Sequence, residues 1–209
     1  MICARLHASS RRGRPRDPAI DARILTSALR LFGRTGWSEF SIEKAAKSAD
    51  VSKVTLYLRW QNKTALLIDA LQFAYPPWAF DDAPGAAEKL VTIVEAMIVE
   101  LTNETGWAVH RALRDPALPT ELRDCCHKIV RDRLTAIDWL VERRCGQAGL
   151  QHSVDPQLIR KCLVGAAMGE AGDILLTGRI PAPGEMQNFA RQAVELVLTR
   201  SIQDGTTDD

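Results

Sequence analysis

Between positions 52 and 63 the chain reads SKVTLYLRWQNK, and no acidic residue interrupts it. Ser52, Thr55 and Tyr57 supply hydroxyls there, and Lys53, Arg59 and Lys63 supply cations. Such groups donate hydrogen bonds and carry positive charge. A second source precedes them: residues 1 to 16 contain five arginines and no acid, with Arg14 and Arg16 on either side of Pro15. The formal charge of the whole chain is only +1, from 27 Lys plus Arg against 26 Asp plus Glu. Residues 1 to 64 nevertheless hold 13 basic and 5 acidic residues, a net of +8, and residues 65 to 209 hold 14 and 21, a net of −7. A basic part joined to an acidic body implies a polyanion partner for the first. A basic tail alone is equally what a solvated terminus looks like, so the elements carrying the other cations decide the matter.

Those elements are helices. Apolar residues recur at three and four along the chain, and strand-like alternation and Asn-Gly or Asp-Gly hairpin turns are missing. Asp17 is an N-cap with Pro18 at the first helical position, and Ile20, Ile24, Ala28, Leu31 and Phe32 line one face up to Gly36. Ser41 caps a short second helix with Ile42, Ala45 and Ala46 inward. A tight turn at Ala49, Asp50 and Val51 follows, and Ser52 caps a third helix through about Arg59. Two short helices joined by such a turn form a helix-turn-helix. The turn asks for a residue with positive φ where glycine is the usual choice, and Asp50 is among the few others that tolerate it. Asn62 caps a fourth helix reaching about Phe73.

In a helix-turn-helix the second helix lies in the major groove of DNA with its first residues at base edges. That places Ser52, Lys53 and Thr55 to read sequence: lysine donates to guanine O6 and N7, and a threonine methyl packs on a thymine methyl. Val54 makes an apolar contact or none. Ser41 and Lys63 each stand at a helix N-terminus, where unpaired N–H groups and the dipole attract phosphate, and Arg59 is within reach of phosphate too. Trp37, Phe40 and Trp60 are assigned to the core. The arm, thin and positive around Gly13 and Pro15, suits a narrow minor groove, or equally gives only nonspecific attraction.

The residues from Asp17 to Leu67, with FGRTGW, the AA pair, DVSKVTLYLRWQNKTALL and the Arg-Gly-Arg-Pro-Arg arm just before them, resemble the DNA-binding domain of TetR-type transcriptional regulators. The likeness covers about a quarter of the chain and rests on an ordered set of positions: Phe32, Gly36, Ile42, Ala46, Val51, Ser52, Thr55, Leu56, Tyr57, Lys63 and Leu66. Asp50 departs from the usual glycine, Val54 from a frequent glycine or proline, and Trp60 from a frequent phenylalanine. The resemblance implies a phosphate contact from the Tyr57 hydroxyl, a sensing middle region in which a small molecule moves helix four, and dimerisation on the last two helices. It also implies repression as the commoner outcome, on a palindromic operator.

After Phe73 the chain changes character. Pro76, Pro77, Pro84 and Gly85 break it, and helices follow over Ala86 to about Glu104, Trp107 to Arg114, Thr120 to Cys145, Asp155 to Leu176 and Gly184 to Ile202. The expected organisation is all-α: a basic arm at 1–16, a three-helix DNA-binding domain at 17–62, a larger helical bundle at 63–202 for ligand sensing and dimerisation, and a tail at 203–209. On the eighth helix Leu158, Cys162, Gly165, Ala166, Gly169, Gly172 and Leu176 form a row whose small residues admit a close partner backbone, and on the ninth Phe189, Ala193, Leu196 and Val197 line a face. Burial of both within one monomer is the competing reading; a homodimeric four-helix bundle is preferred, since two related helix-turn-helix units read a palindrome. For a small apolar or amphipathic effector the candidate lining is Met97, Leu101, Trp107, His110, Trp139 and Met168, large or soft side chains of the kind that line such sites and that also simply fill cores.

Other chemistries find little support. Cys125, Cys126 and His127 are consecutive on a helix, where side chains fan out by about 100° each and cannot close one tetrahedral metal site. No metal or cofactor is expected. Five cysteines without C-x-x-C, and no apolar leader or membrane-length run, predict reduced thiols in a soluble cytoplasmic protein, a thiol sensor remaining open. G-x-S-x-G, glycine-rich phosphate loops and H-E-x-x-H are missing, which disfavours the alternative of a helical enzyme with an unrecognised active site. A second alternative, a nonspecific architectural DNA binder acting through the arm, would leave a diffuse footprint in place of a short palindromic one.

Overall fold

A computed structural model of the chain describes residues 17–78, 85–103, 105–147 and 155–203. Among these are nine α-helices and no strand: α1 (Pro18–Thr35), α2 (Ile42–Ser48), α3 (Lys53–Tyr57), α4 (Lys63–Ala74), α5 (Ala86–Thr102), α6 (Trp107–Arg114), α7 (Thr120–Gln147), α8 (Pro156–Thr177) and α9 (Glu185–Gln203). No helix of the described residues is long and apolar enough to cross a membrane.

The helix starts follow local hydrogen bonding. The side chains of Asp17, Ser41, Ser52 and Asn62 accept from the backbone N–H groups of Ala19, Lys44, Thr55 and Ala65 at 3.0, 3.2, 3.1 and 2.8 Å. Each satisfies a donor that the first helical turn leaves unpaired. Between α2 and α3, Asp50 has φ of 52°, and it is the one non-glycine residue with positive φ among those described. Around it the Asp50 N–H donates to the Lys47 carbonyl (3.3 Å) and the Val51 N–H to the Ala46 carbonyl (3.1 Å). That pair of bonds is the Schellman ending, with Val51 packed on the core beneath. The third helix is shorter than its sequence suggests: it stops at Tyr57, with Leu58 as its C-cap. α5 ends at Thr102 because the Asn103 side chain turns the chain, accepting from the N–H groups of Thr105 (2.9 Å) and Gly106 (2.8 Å). Gly106 comes so close to the Glu100 carbonyl that a Cβ there would overlap it, so the turn admits no larger residue.

Two cores hold the helices. The first joins Ile24, Ala28 and Phe32 of α1, Ile42 and Ala45 of α2, Leu56 of α3 and Leu66, Leu67 and Leu71 of α4 to Ala108 and Ala112 of α6 and Leu122 and Cys126 of α7. The second joins Leu90, Val94 and Ile98 of α5 to Ile137, Leu140 and Val141 of α7, Ile159, Leu163 and Ala167 of α8 and Ala190 and Val194 of α9. Helix α7, 28 residues long, takes part in both. At 1.5 Å per residue it is a rod of roughly 40 Å. Helix four, expected as the link between the N-terminal helices and the rest, packs on α1 and α7; α6 makes a second connection by packing on the same two helices.

Candidate nucleic-acid interface and adjoining cavity

α3 buries a single side chain, Leu56, against the first core. The rest of its surface is presented outward: Ser52 and Lys53 are exposed, and Val54, Tyr57 and Leu58 keep 59%, 50% and 78% of their surface. Thr55 is half-buried, its hydroxyl 2.9 Å from that of Ser52. The Tyr57 hydroxyl donates to Glu43 Oε1 at 2.8 Å, linking α3 to the first turn of α2. The Glu43 carboxyl lies below its ordinary range, held there first by its own backbone N–H and then by Tyr57; the same bond pushes the Tyr57 phenol up. An acid on this surface was not among the residues that the sequence singled out, although Glu43 stands two residues from the Ser41 cap.

Two expected phosphate ligands are engaged inside the fold. Arg59 folds back onto Asp21 of α1 in a close ion pair. Lys63 sends its ammonium between the carbonyls of Trp37 (3.0 Å) and Phe40 (3.1 Å) and over the Trp37 ring, 3.8 Å from its centre. It ties the start of α4 to the connection between α1 and α2. Trp60 and Phe40 are buried, and the Trp60 indole N–H donates to Asp69 at 2.8 Å. Ser41, half-buried, serves as the cap of α2. Arg14 and Arg16 lie outside the described residues.

A cavity of about 130 Å³ lies at the seam of the two cores, where α5, α6, α7 and α8 meet the segment that follows α4. Met97, Leu101, His110 and Met168 line it. Trp107 begins α6 beside the lining Gly106, but its side chain lies outside the described residues. Trp139 does not belong to it: the ring is exposed with the Arg143 guanidinium 5.4 Å from its centre, on the side of α7 opposite Ile137 and Val141. Besides apolar side chains the cavity holds Tyr75, Trp78, Glu100 and Arg133. Arg133 pairs closely with Glu100, and its guanidinium lies 4.9 Å from the Tyr75 ring centre and 4.5 Å from that of Trp78. An ion pair among apolar neighbours costs desolvation and marks a place where chemistry outweighs packing. Its signal was in the sequence: Arg133 interrupts the four-residue row Ile129, Arg133, Ile137. His110 titrates below its ordinary value, first because it is buried and then because Arg114 is near.

α6 also touches the N-terminal helices through polar groups. Arg111 Nη1 donates to the carbonyls of Gly33 (3.3 Å) and Arg34 (3.1 Å) at the end of α1, and Asp115 Oδ2 accepts from the Trp37 N–H (3.2 Å).

On α8 the residues facing the monomer are Ile159, Leu163, Ala167, Ala171 and Ile174. Leu158, Cys162, Gly165, Gly169 and Leu176 point away and are exposed, Gly172 and Ala166 are half-buried, and a Cβ added at Gly165, Gly169 or Gly172 would meet open space. The α9 residues divide: Leu196 is 61% exposed and Ala193 half-buried, whereas Phe189 and Val197 pack against the second core of their own chain. Among cysteines, burial pushes the Cys126 thiol up to about 12 and raises Cys125 too, which makes both poor nucleophiles. No group of three or more metal-ligating side chains is found among the described residues.

The sequence profile of bacterial regulatory proteins of the tetR family matches residues 24–70. The uncharacterized HTH-type transcriptional regulator YdeS of Bacillus subtilis is 30% identical over 116 residues, which are 55% of this chain and 59% of that protein. The match thus spans little more than half of that relative. The DNA-binding transcriptional repressor TetR of Mycobacteroides abscessus is 26% identical over 189 residues, 88% of this chain and 94% of the relative. Among solved structures, the transcriptional regulator FadR from Bacillus subtilis, in complex with stearoyl-CoA, superposes with a TM-score of 0.64 at 19% identity, over 85% of this chain and 97% of that one. At that identity the likeness is one of fold.

Proposed function

We propose that this chain is a regulator of the tetR kind, a ligand-responsive repressor that binds a palindromic operator as a homodimer, as its likeness to the tetR profile and to the Mycobacteroides abscessus repressor supports. The observation that carries the DNA-binding part is the α3 surface: one buried leucine anchors the helix, and Lys53, Val54 and Tyr57 stand exposed on it within a segment of net charge +8. Lys53 and the outward edge of α3 read bases; Ser41, Tyr57 and the N-terminus of α4 take phosphates, with the Tyr57 hydroxyl transferring from Glu43 to a phosphate oxygen. Lys63 acts chiefly by holding the α4 N-terminus in place. Arg59 keeps its partner Asp21 and supports the helix from behind.

Dimerisation runs along α8. Positions 158, 162, 165, 169, 172 and 176 are spaced by four and three, the repeat of a helix-helix seam, and the glycines let two backbones approach. Leu196 and Ala193 of α9 complete the face. An effector of apolar or amphipathic character enters the cavity, as the stearoyl-CoA complex of the FadR relative suggests for this fold. Its wall includes Val109 and His110 of α6, and the neighbouring Arg111 and Asp115 hold α1 and Trp37. An occupant that displaces α6 therefore moves the recognition unit, provided that it binds one arrangement more tightly than the other.

Selection of bound sites from random DNA tests the reading, repeated with a metabolite library. A short inverted repeat, protected symmetrically and released by at least one compound, is expected. Recovery of unrelated sequences with steeply salt-dependent binding would favour the architectural alternative, and no recovery at all would refute DNA binding.

A further inference from the structure

We infer that Val54 and Leu58 form an apolar ridge that reads the 5-methyl groups of thymine, so that methyl contacts contribute to this protein's choice of operator alongside hydrogen bonds. The inference rests on the DNA-binding reading above and goes beyond it in naming what the helix recognises. Leu58 N–H donates to the Val54 carbonyl at 3.0 Å, which places the two side chains one helical turn apart on the same face. Val54 in α3 and Leu58 at its C-cap keep 59% and 78% of their surface exposed. The two form a small apolar ridge on the outward side of this helix, in the place where a helix-turn-helix meets base edges.

The polar side chains around them are already engaged. Ser52 caps the helix and shares a hydrogen bond with Thr55, Tyr57 is held by Glu43, and Arg59 is paired with Asp21. Lys53 remains as the exposed cation of that surface. The positive charge of this part of the chain selects a polyanion over an apolar protein surface as occupant. Within the major groove the thymine methyl is the apolar group that the base edges present; cytosine carries only hydrogen at that ring position and an amine where thymine has O4. A ridge of valine and leucine therefore prefers thymine for a physical reason that a lysine or an arginine in those places would not have.

The experiment uses the full-length protein and the site recovered from random DNA. Each thymine of one half-site is replaced in turn by deoxyuridine, which removes the methyl and leaves every hydrogen-bonding group in place. At the one or two contacted positions the affinity should fall roughly fourfold, the equivalent of one buried methyl or methylene group. Val54→Ala and Leu58→Ala, both at exposed positions, should each erase the difference between thymine and uracil at one position, with unfolding temperature unchanged. Equal binding of the thymine and uracil sites overturns the inference while leaving the DNA-binding reading intact. So does discrimination that survives both alanine variants, or an oligomeric state altered by those variants in place of a changed site preference. Failure to recover any site overturns the DNA-binding reading, and the inference with it.

Discussion

Replacement of Lys63 by Met separates two roles that the sequence merges. Methionine keeps the length and apolar stem that pack on Trp37 but removes the ammonium, which here donates to the carbonyls of Trp37 and Phe40 at 3.0 and 3.1 Å and sits 3.8 Å from the Trp37 ring centre. Partly buried acceptors left without a donor cost about 1–3 kcal/mol, and the lost cation–π contact adds about 0.5–1 kcal/mol. Because the side chain is only half-buried, a total of about 2 kcal/mol is the reasonable expectation. For a chain of this size that corresponds to a fall of roughly 4–8 °C in unfolding temperature. Thermal and urea unfolding without DNA measure it, and a binding titration with the selected operator measures the other role. The expected result is lost stability together with weakened binding to every DNA sequence. If the variant unfolds like the wild type and loses only DNA affinity, the ammonium belongs to phosphate, and the stapling argument is wrong.

Other consequences can be measured with equal directness. Asp50→Ala should destabilise by about 1–2 kcal/mol, since φ of 52° disfavours a Cβ without a local hydrogen-bonding group, while Asp50→Gly should be neutral or mildly stabilising; equal urea midpoints for all three would contradict the turn. For His110 the folded value lies below the ordinary 6.5, so the unfolded chain takes up the proton first as pH falls. Stability is complete above about pH 6.5 and declines through the lower folded value, and His110→Gln should flatten that decline in urea midpoints between pH 7.5 and 5.5. Gly169→Arg should yield a folded monomer by sedimentation, because its Cβ meets open space within one chain, and alkylation of the exposed Cys162 in the wild type should slow as protein concentration rises. A variant that stays dimeric, or alkylation independent of concentration, would move the interface elsewhere.

How legible the molecule is from its sequence varies with the range of the interaction concerned. Caps at Asp17, Ser41, Ser52 and Asn62 are visible in advance because each side chain bonds a backbone group two or three residues away. The turn at Asp50 is visible for the same reason. Arg59 and Lys63 are not, since a cation's partner is chosen by tertiary packing: Asp21 lies on another helix, and the Trp37 and Phe40 carbonyls belong to a connection far along the chain. The row of small residues on α8 could be read because period alone divides it from the buried row beginning at Ile159. On α9 period misleads, as Phe189 and Val197 share a stripe with Leu196 yet turn toward their own core. Residue type alone groups Trp139 with the cavity, although its place relative to Ile137 and Val141 puts it on the far side of α7. What no local rule could supply is the cavity itself, which exists only because α7 is long enough to enter two cores that do not merge.

That seam gives the proposed regulation a physical scale. A tenfold change in operator affinity requires about 1.4 kcal/mol of difference in effector binding between two arrangements. The exposed bonds from Arg111 to the end of α1 and the part-buried one from the Trp37 N–H to Asp115 contribute about 0.5–1.5 kcal/mol each, so disturbing two or three of them supplies a change of that order. A cavity of about 130 Å³ admits a small occupant without such disturbance. A longer one must part α6 from α7 or α5 from α8, and through Trp37 the first of these movements reaches Lys63 at the start of α4. Both ends of the recognition unit are thus tied to one residue, Trp37, whose backbone and ring bind α6 and α4 at once. Effector size, more than its affinity for the walls, then decides whether filling the cavity is felt at α3.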